Sequence, residues 1–439
     1  MSTDVTSTDS AGSDATTSGG LWSDRTFRLV WLGTASSRFG SSVASVATPL
    51  VALEALDASA FTVTLLMAAA WIPWLLIGLP AGAWVDRRAK RPVMIVSDLV
   101  AAVTVVSVPV AAGLDLLSTA HLLAAALVIG AATVFFQTAW TSYLPVVLDE
   151  RRLVPANAFL YGSESAAQVA GPGVAGMLAG AFGAVAGLLV QAGTFTMSAL
   201  CLLGVRRPER RTPPPERPNL RAEIAEGARL VAADRLLRNL LAHGALSNFW
   251  LTGYQALLVV FLVREVGLDA APVGLLLTLT SLGGVVGAAA APTLCRRLGT
   301  ARTLVLCKAG AGPCALLIPL SGSGPRTVLF VVGGALVVTG VVAGNVVSGS
   351  FRQRYCPPHL LARVTTSMQF VNLGTIPLGA VTAGVLAELV GTRPALWVLT
   401  VGFAASGLVL ALGPLRGRRD LPSRPDVTEP LVPTGRAST

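Results

Sequence analysis

Long runs of apolar residues, separated by short polar segments, dominate the chain. A helix that crosses a bilayer needs about 20 apolar residues, and on this measure the pattern predicts twelve membrane-spanning helices. Six of them precede a polar break and six follow it: 29–56, 61–84, 92–114, 119–145, 155–182, 184–205, 239–263, 271–294, 303–321, 327–350, 361–388 and 394–413. The expected fold is therefore an all-α membrane protein.

The polar break opens with 206–221, a stretch rich in Arg, Glu and Pro that cannot lie in a membrane. Apolar and charged residues then alternate as far as 238, which suggests an amphipathic helix on the membrane surface, either a plain linker or a regulatory element. The start of the chain is rich in Ser, Thr, Asp and Gly, as in a disordered tail. The predicted parts are a disordered cytoplasmic tail, a six-helix bundle, a linker, a second six-helix bundle and a cytoplasmic tail: 1–24, 25–205, 206–238, 239–413 and 414–439.

The two predicted bundles resemble each other in the order of their features. The fourth span of each half ends near a tyrosine and a proline, at Tyr143 and Tyr355, and a glycine-rich span with a proline in its middle follows, at Pro172 and Pro377. Two parallel six-helix halves with a central site near mid-membrane form one known plan of secondary transporters. The spacing thus favours a duplicated, pseudo-symmetric transporter.

Composition and the placement of charge agree with a membrane protein. Hydrophobic residues make up 53% of the chain and charged residues 13%, about half the charged fraction of a soluble domain. Of the 33 Lys and Arg residues, Arg264, Arg326 and Arg393 fall in loops on one side and Arg38 and Lys308 fall inside spans; the rest lie in the tails and on the other side. By the positive-inside rule, both termini should be cytoplasmic. The net charge of +10 then needs no nucleic-acid partner.

The sequence argues against a membrane enzyme and against a nucleotide-driven pump. The three histidines, His121, His243 and His359, are scattered along the chain, and the five cysteines show no metal-ligand spacing. A phosphate-binding loop of the form G-x-x-x-x-G-K-[ST] is absent. No cofactor and no bound metal are expected, and no obligate protein partner is predicted.

The loop between the second and third predicted spans resembles the signature loop of the major facilitator superfamily. Trp84 replaces a usual leucine and Ala89 a usual glycine, and the matching positions are Gly82, Asp86, Arg87, Lys90 and Arg91. The resemblance implies a twelve-helix transporter that works by alternating access. It also implies a gate, in which Asp86 holds Arg91 and faces the start of the eleventh span, near Arg363, when the cytoplasmic side is closed. The alternative is that these cations only fix the topology.

The fifth span carries a second motif, Gly171, Pro172 and Gly176, that is similar to the pattern of the antiporter branch of the superfamily. Proline bends a helix and glycine lets helices approach closely, so the motif predicts a kinked packing seam. The chain is also similar to the branch that contains enterobactin and macrolide exporters. It departs from drug/proton antiporters because its fourth span lacks an arginine.

Four ionisable residues stand out well inside predicted spans, where a charge costs at least about 2.5–3.5 kcal/mol. Arg38, Asp98, Glu164 and Lys308 are therefore the candidates for a proton or substrate site. Glu164 is the expected proton carrier, with Arg38 as its possible partner, and an Asp98–Lys308 attraction across the halves is conceivable. Each could instead be a static ion pair. Polar residues that complete the expected cavity are Gln137, Tyr161, Gln168, Gln191, Asn248, Gln255, Asn345, Gln369 and Asn372.

The function predicted from these features is secondary active transport across a bacterial plasma membrane. We expect a proton-coupled exporter of a small, partly hydrophobic molecule, such as a drug, a siderophore or a secondary metabolite. The partners are then the lipid bilayer, the small-molecule substrate and protons. An importer or symporter with the same fold is the alternative among transporters. A non-transporting membrane receptor and a membrane enzyme are the alternatives from other classes of protein.

Overall fold

A computed structural model describes residues 21–148, 150–206, 228–356 and 358–422. Twelve long helices fill this part of the chain, and α7 continues into a π-helical turn, Phe261–Glu265. A short helix α13, Leu408–Ala411, follows the twelfth. The long helices are α1 (Arg25–Leu56), α2 (Ala60–Asp86), α3 (Lys90–Gly113), α4 (Thr119–Val147), α5 (Glu150–Phe182), α6 (Val185–Gly204), α7 (Arg235–Val260), α8 (Ala270–Leu298), α9 (Thr300–Ala315), α10 (Thr327–Tyr355), α11 (Pro358–Val390) and α12 (Thr392–Ser406).

Polar side chains set the starts of several helices. Asp24 accepts a hydrogen bond from the backbone N–H of Thr26 at the start of α1, and Ser59 and Ser118 cap α2 and α4 in the same way. Asp234 caps α7 by accepting from two backbone N–H groups. These caps satisfy donors that have no partner within the helix, and they place the helix starts within a few residues of the predicted ones.

The ninth helix ends before its predicted span does. The apolar pattern predicts a helix to residue 321, but α9 ends at Ala315. Beyond it the backbone N–H groups of Leu316, Leu317 and Ile318 bond to carbonyls only three residues earlier. Pro313 removes a donor that a regular helix needs, and the chain tightens into turns. The hydropathy of a segment reflects the environment in which the segment is buried. It does not report the backbone geometry that changes here.

Ten of the described helices are long and apolar enough to cross a membrane. The other two long helices are α5, which carries Glu164, and α9, which has 16 residues. The helices run in alternating directions, so their connections lie at two ends. We call the end with Arg87 and Lys90 the basic face, and the end with Asp57 and Glu265 the far face.

The two halves repeat one packing pattern. In the first half α1 packs on α5 and α6, α4 packs on α2 and α3, and α3 packs on α6. In the second half α7 packs on α11 and α12, α10 packs on α8 and α9, and α9 packs on α12. The halves meet mainly through α2 against α11 and α5 against α8. Helix packing therefore carries the duplication that the order of sequence features suggested.

Part of the chain expected to form a tail instead packs against the second half. Leu415 is buried, and the carbonyl of Arg419 accepts hydrogen bonds from the backbone N–H groups of Ala301 and Arg302. The carboxylate of Asp420 accepts from the backbone N–H of Thr300 at 2.9 Å, so Asp420 caps α9 from a distant part of the sequence. We call residues 414–422 the C-terminal strap.

The remaining predicted parts are described only at their edges. The expected tail at 1–20, the linker core at 207–227 and residues 423–439 lie outside the described residues. Of the expected amphipathic helix, 228–233 is helical, and its Val231 is buried in a cluster with α7 and α10. The proposed domain boundaries therefore stay predictions.

Candidate functional site

The motif in α5 lies in a close contact between the two halves. A side chain at Gly176 would come within 2.6 Å of the carbonyl oxygen of Ala270 and 2.8 Å of the Cα of Gly274, both on α8. A side chain at Gly274 would in turn meet the carbonyl oxygen of Pro172. The two backbones thus touch directly, and they could not do so if either glycine carried a side chain.

The other glycines of this segment extend the same contact. Gly173 faces Thr278 on α8, and Gly180 faces Ala271. Gly171 points the other way, towards Ser42 on α1. The motif therefore takes part in two packing seams on opposite sides of α5. One joins α5 to α1 inside the first half, and the other joins α5 to α8 between the halves. We call the contact between α5 and α8 the far-face seam, because it lies on the far-face half of both helices.

A second contact between the halves lies at the same end. Gly384 on α11 packs against Phe61 and Thr64 near the start of α2. Arg264, in the π-helical turn, forms an ion pair with Asp57 at 2.7 Å, but the Asp57 side chain is 97% exposed. The far face is therefore closed mainly by tight helix packing, since an exposed ion pair contributes little.

The signature loop at the basic face makes several contacts within its own half. Arg91 donates to the backbone carbonyls of Leu202 and Leu203 at the end of α6. Lys90 donates to the carbonyl of Val85 at 2.8 Å, and the guanidinium of Arg88 lies over the ring of Trp84. These contacts tie the ends of α2, α3 and α6 together.

The proposed gate at this loop stays a prediction. The side chain of Asp86, expected to hold Arg91 and face the eleventh span, lies outside the described residues, and Arg87 is exposed at the end of α2. Gly82 is informative, because a side chain placed there would meet nothing within 4 Å. In this conformation no described residue packs against Gly82, the position that the motif keeps small.

Three polar residues from three helices meet in the first half. The guanidinium of Arg38 on α1 lies 3.4 Å from the carboxylate of Glu164 on α5, and it donates to the amide oxygen of Gln137 on α4 at 2.8 Å. Each residue lies near the middle of its helix, and the Arg38 and Glu164 side chains are about one-third exposed, at 32% and 30%. We call these three residues the first-half ion-pair cluster.

The structure brings Arg38 and Glu164 together but does not bring Asp98 and Lys308 together. Asp98 is buried on α3, which packs on α4 and α6 of the first half. Lys308 on α9 donates to the amide oxygen of Asn345 on α10, within the second half. An attraction between Asp98 and Lys308 is therefore absent here, because α3 and α9 each pack only within their own bundle among the main helix contacts.

Some contacts could not be derived from sequence patterns. Gln137 and Asn345 stood out as amides inside spans, but the pattern did not pair Gln137 with Arg38 or Asn345 with Lys308. Gly274 and Asp420 carried no signal of their own. An amide in the middle of a span is the only local mark that such partners leave in a sequence.

Two six-helix bundles that repeat one packing pattern, with an ion pair at mid-membrane, define a membrane transporter with duplicated halves. A family model described as the Major Facilitator Superfamily matches residues 30–376. The chain therefore belongs to the Major Facilitator Superfamily, and it is a secondary transporter rather than an enzyme.

Individual relatives agree with this family. The chain is similar to the multidrug efflux pump Tap of Mycolicibacterium fortuitum, with 28% identity over 90% of this chain and 98% of Tap. It also superimposes on a bacterial homologue of the iron transporter ferroportin in its inward-facing state, with a TM-score of 0.72, 16% identity and coverage of 90% and 99% of the two chains. For the outward-facing state of that homologue the TM-score is 0.61, with 18% identity over 89% and 98%.

Proposed function

We propose that this transporter exports a small, partly hydrophobic molecule such as a drug, and that an inward flow of protons drives the export. The observation that carries the proposal is the first-half ion-pair cluster, which places an ionisable acid at mid-membrane between three helices. Similarity to a multidrug efflux pump over almost the whole chain supports export and a drug-like substrate.

Glu164 is the proposed proton site. Among the described residues, Arg38 is the one ion-pair partner of its carboxylate, at 3.4 Å, and the Glu164 side chain is about one-third exposed. A proton that neutralises Glu164 would release Arg38, which would keep its bond to Gln137. Proton binding would thus change which helices are tied together, and a change of that kind can shift the balance between two conformations. Asp98 stays the second candidate.

The proposed mechanism is alternating access between the two bundles, at 25–205 and 239–413. The far-face seam, the contact of Gly384 with α2 and the Asp57–Arg264 pair all close the far face. Gly82 at the basic face has open space around it. Both observations support a conformation that opens towards the basic face, and the higher TM-score against an inward-facing structure agrees with it.

We further propose that the protein lies in a bacterial plasma membrane with the basic face and both termini in the cytoplasm. The support is the excess of Lys and Arg at the basic face. In that orientation, closure of the basic face would bring the loop with Asp86 against the start of α11, as the gate requires.

Proteoliposomes test the proposal directly. A fluorescent rhodamine methyl ester, which is small and partly hydrophobic, serves as the probe, and a pH gradient supplies the driving force. We expect wild type to move the dye against its gradient, and Glu164→Gln to lose this movement while still exchanging dye across the membrane at equal concentrations. Glu54→Gln, which changes an exposed acid near the far end of α1, is the matched control and should behave like wild type.

Two results would contradict the proposal at different levels. Uphill movement that persists in Glu164→Gln would remove Glu164 as the proton site and leave export intact. A wild-type protein that moves the dye equally with and without the pH gradient would contradict proton coupling itself.

A further inference from the structure

The two halves differ in how they balance charge inside the membrane. In the first half the charge of Arg38 faces the carboxylate of Glu164. In the second half the sequence contains no Asp or Glu between Ala270 and Ala387, yet Lys308 lies within that stretch. A charged group at membrane depth needs a partner, so the second half has a cation without an acid to balance it.

The position of Lys308 is set by a glycine on the neighbouring helix. Its aliphatic stem crosses α10 at Gly344, where an added side chain would come within 2.7 Å of the Lys308 Cε. The ammonium group then donates to the amide oxygen of Asn345 at 2.6 Å. An ammonium has three donors, and among the described residues Asn345 is the one hydrogen-bond partner of this group.

A second cation lies on the same face of α10. Arg352 is seven residues beyond Asn345, which is two helical turns, and Ser348 lies between them on that face. Arg352 forms no ion pair with a residue that the structure describes, and it lies near the basic-face end of the helix that holds Asn345. The face of α10 from Asn345 to Arg352 is thus polar and positive.

The acids of the second half lie too far from Lys308 to balance its charge. Glu265, Asp269 and Glu388 are at the far-face ends of their helices. Asp234, at the basic face, accepts a hydrogen bond from the hydroxyl of Tyr355. Tyr355 is ten residues beyond Asn345 on α10, or roughly 15 Å along the helix axis.

We propose that Lys308, Asn345 and Arg352 form a site for an anionic group, most readily a carboxylate, on the transported molecule. The proposal rests on the export function proposed above and adds to it a preference for substrates that carry such a group beside an apolar body. A carboxylate offers the acceptors that the two free donors of Lys308 and the guanidinium of Arg352 require.

The test compares two dyes that differ only in the anionic group. A rhodamine with a free carboxylate and the methyl ester of the same dye are titrated against the purified full-length protein, with binding followed by fluorescence anisotropy. We expect wild type to bind the carboxylate form about tenfold more tightly than the ester, because a charge-assisted hydrogen bond replaces a neutral contact. Lys308→Met keeps the stem over Gly344 and should bind both dyes equally, whereas Lys308→Arg should keep the preference.

A second variant tests the site without removing the lysine. Asn345→Asp places a carboxylate of the protein against the ammonium group, so it should also abolish the preference for the carboxylate dye. Ser323→Glu adds an acid to the same half, at an exposed position before the far-face start of α10 and roughly 27 Å from Asn345 by helix rise, and should keep the preference. This pair separates the local charge balance from any general effect of an added acid.

Each outcome bears on the proposal separately from the function. Equal binding of the two dyes by wild type, binding of neither dye, or a preference that survives both Lys308→Met and Asn345→Asp would overturn the anion site. Proton-driven movement of the methyl ester in proteoliposomes would still support export in any of those cases. Loss of the preference in both variants, with ester movement intact, would support the site.

Discussion

The two glycine motifs of the first half lie in opposite surroundings. Gly176, near the far face, is packed so closely against Gly274 that no side chain fits. Gly82, at the basic face, has nothing within 4 Å of where a side chain would start. The presence of a glycine that makes no close contact in one conformation is explained if another helix packs against it in a second conformation. The difference agrees with the conformation proposed above, in which the far face is closed and the basic face is open.

The sharpest way to break this comparison is to fill the closed seam. In Gly176→Leu the new side chain would meet the backbone of α8, which cannot move aside as a side chain can. We expect the free energy of unfolding to fall by about 3 kcal/mol, the upper range for an overfilled contact, and transport to be lost. Thermal unfolding of the purified protein measures the first effect and dye movement the second.

Gly193→Leu is the matched control, since Gly193 lies inside α6 and has nothing within 4 Å. It should unfold and transport like wild type. If Gly176→Leu unfolds at the same temperature as this control, the far-face seam is not the tight contact described.

Filling the open motif should separate stability from function. In Gly82→Leu the side chain has room in this conformation, so we expect the free energy of unfolding to stay within about 1 kcal/mol of wild type, in the direction of the higher helix propensity of Leu. Closure of the basic face would be blocked, and dye movement should be lost. Full transport activity in this variant would mean that transport does not require the basic face to close against Gly82.

The C-terminal strap gives a smaller effect at the basic face. Asp420→Ala removes the cap from α9 and should lower the free energy of unfolding by about 1 kcal/mol. Asp420→Asn keeps an acceptor for the backbone N–H of Thr300 and should restore most of the loss. An alanine variant as stable as wild type would show that the strap does not hold α9.

The smallest effect is expected from the ion pair at the far face. Asp57→Asn removes the charge that pairs with Arg264, but the carboxylate is almost fully exposed. We expect no measurable change in unfolding temperature, and unchanged dye movement. A clear decrease in unfolding temperature or in dye movement would show that the ion pair contributes to closing the far face, which we attribute to the glycine contacts.

Most of the fold could be predicted because lipid imposes a strong and simple pattern. The start and end of α4 and the start of α10 follow closely from apolar runs bounded by polar residues, whereas α10 continues to Tyr355, past its predicted end at 350. The end of α9 could not be predicted in this way, because residues 316–318 stay apolar while their backbone leaves the helical pattern. Hydropathy locates a segment in the bilayer, whereas proline and turn geometry decide its shape.

The sequence predicted which residues belong to the candidate site, but it predicted only part of the contacts between them. Arg38, Asp98, Glu164 and Lys308 stood out because charge is rare inside spans. The pairing of Arg38 with Glu164 was foreseen, whereas that of Lys308 with Asn345 depends on the bare backbone of Gly344, 36 residues further along the chain. Sequence patterns report which positions of one helix are buried, but they carry little information about which faces of two helices meet.

The far-face seam has a consequence for the surroundings in which the protein works. Contacts between backbones and apolar atoms are not screened by dissolved ions, whereas an exposed ion pair weakens as ionic strength rises. The seam is built from glycine contacts, and the Asp57–Arg264 ion pair that joins the two halves at this end is exposed. The closed far face should therefore hold equally well in dilute and in saline media. The ionic strength outside the cell would then have little effect on the contacts that close the far face.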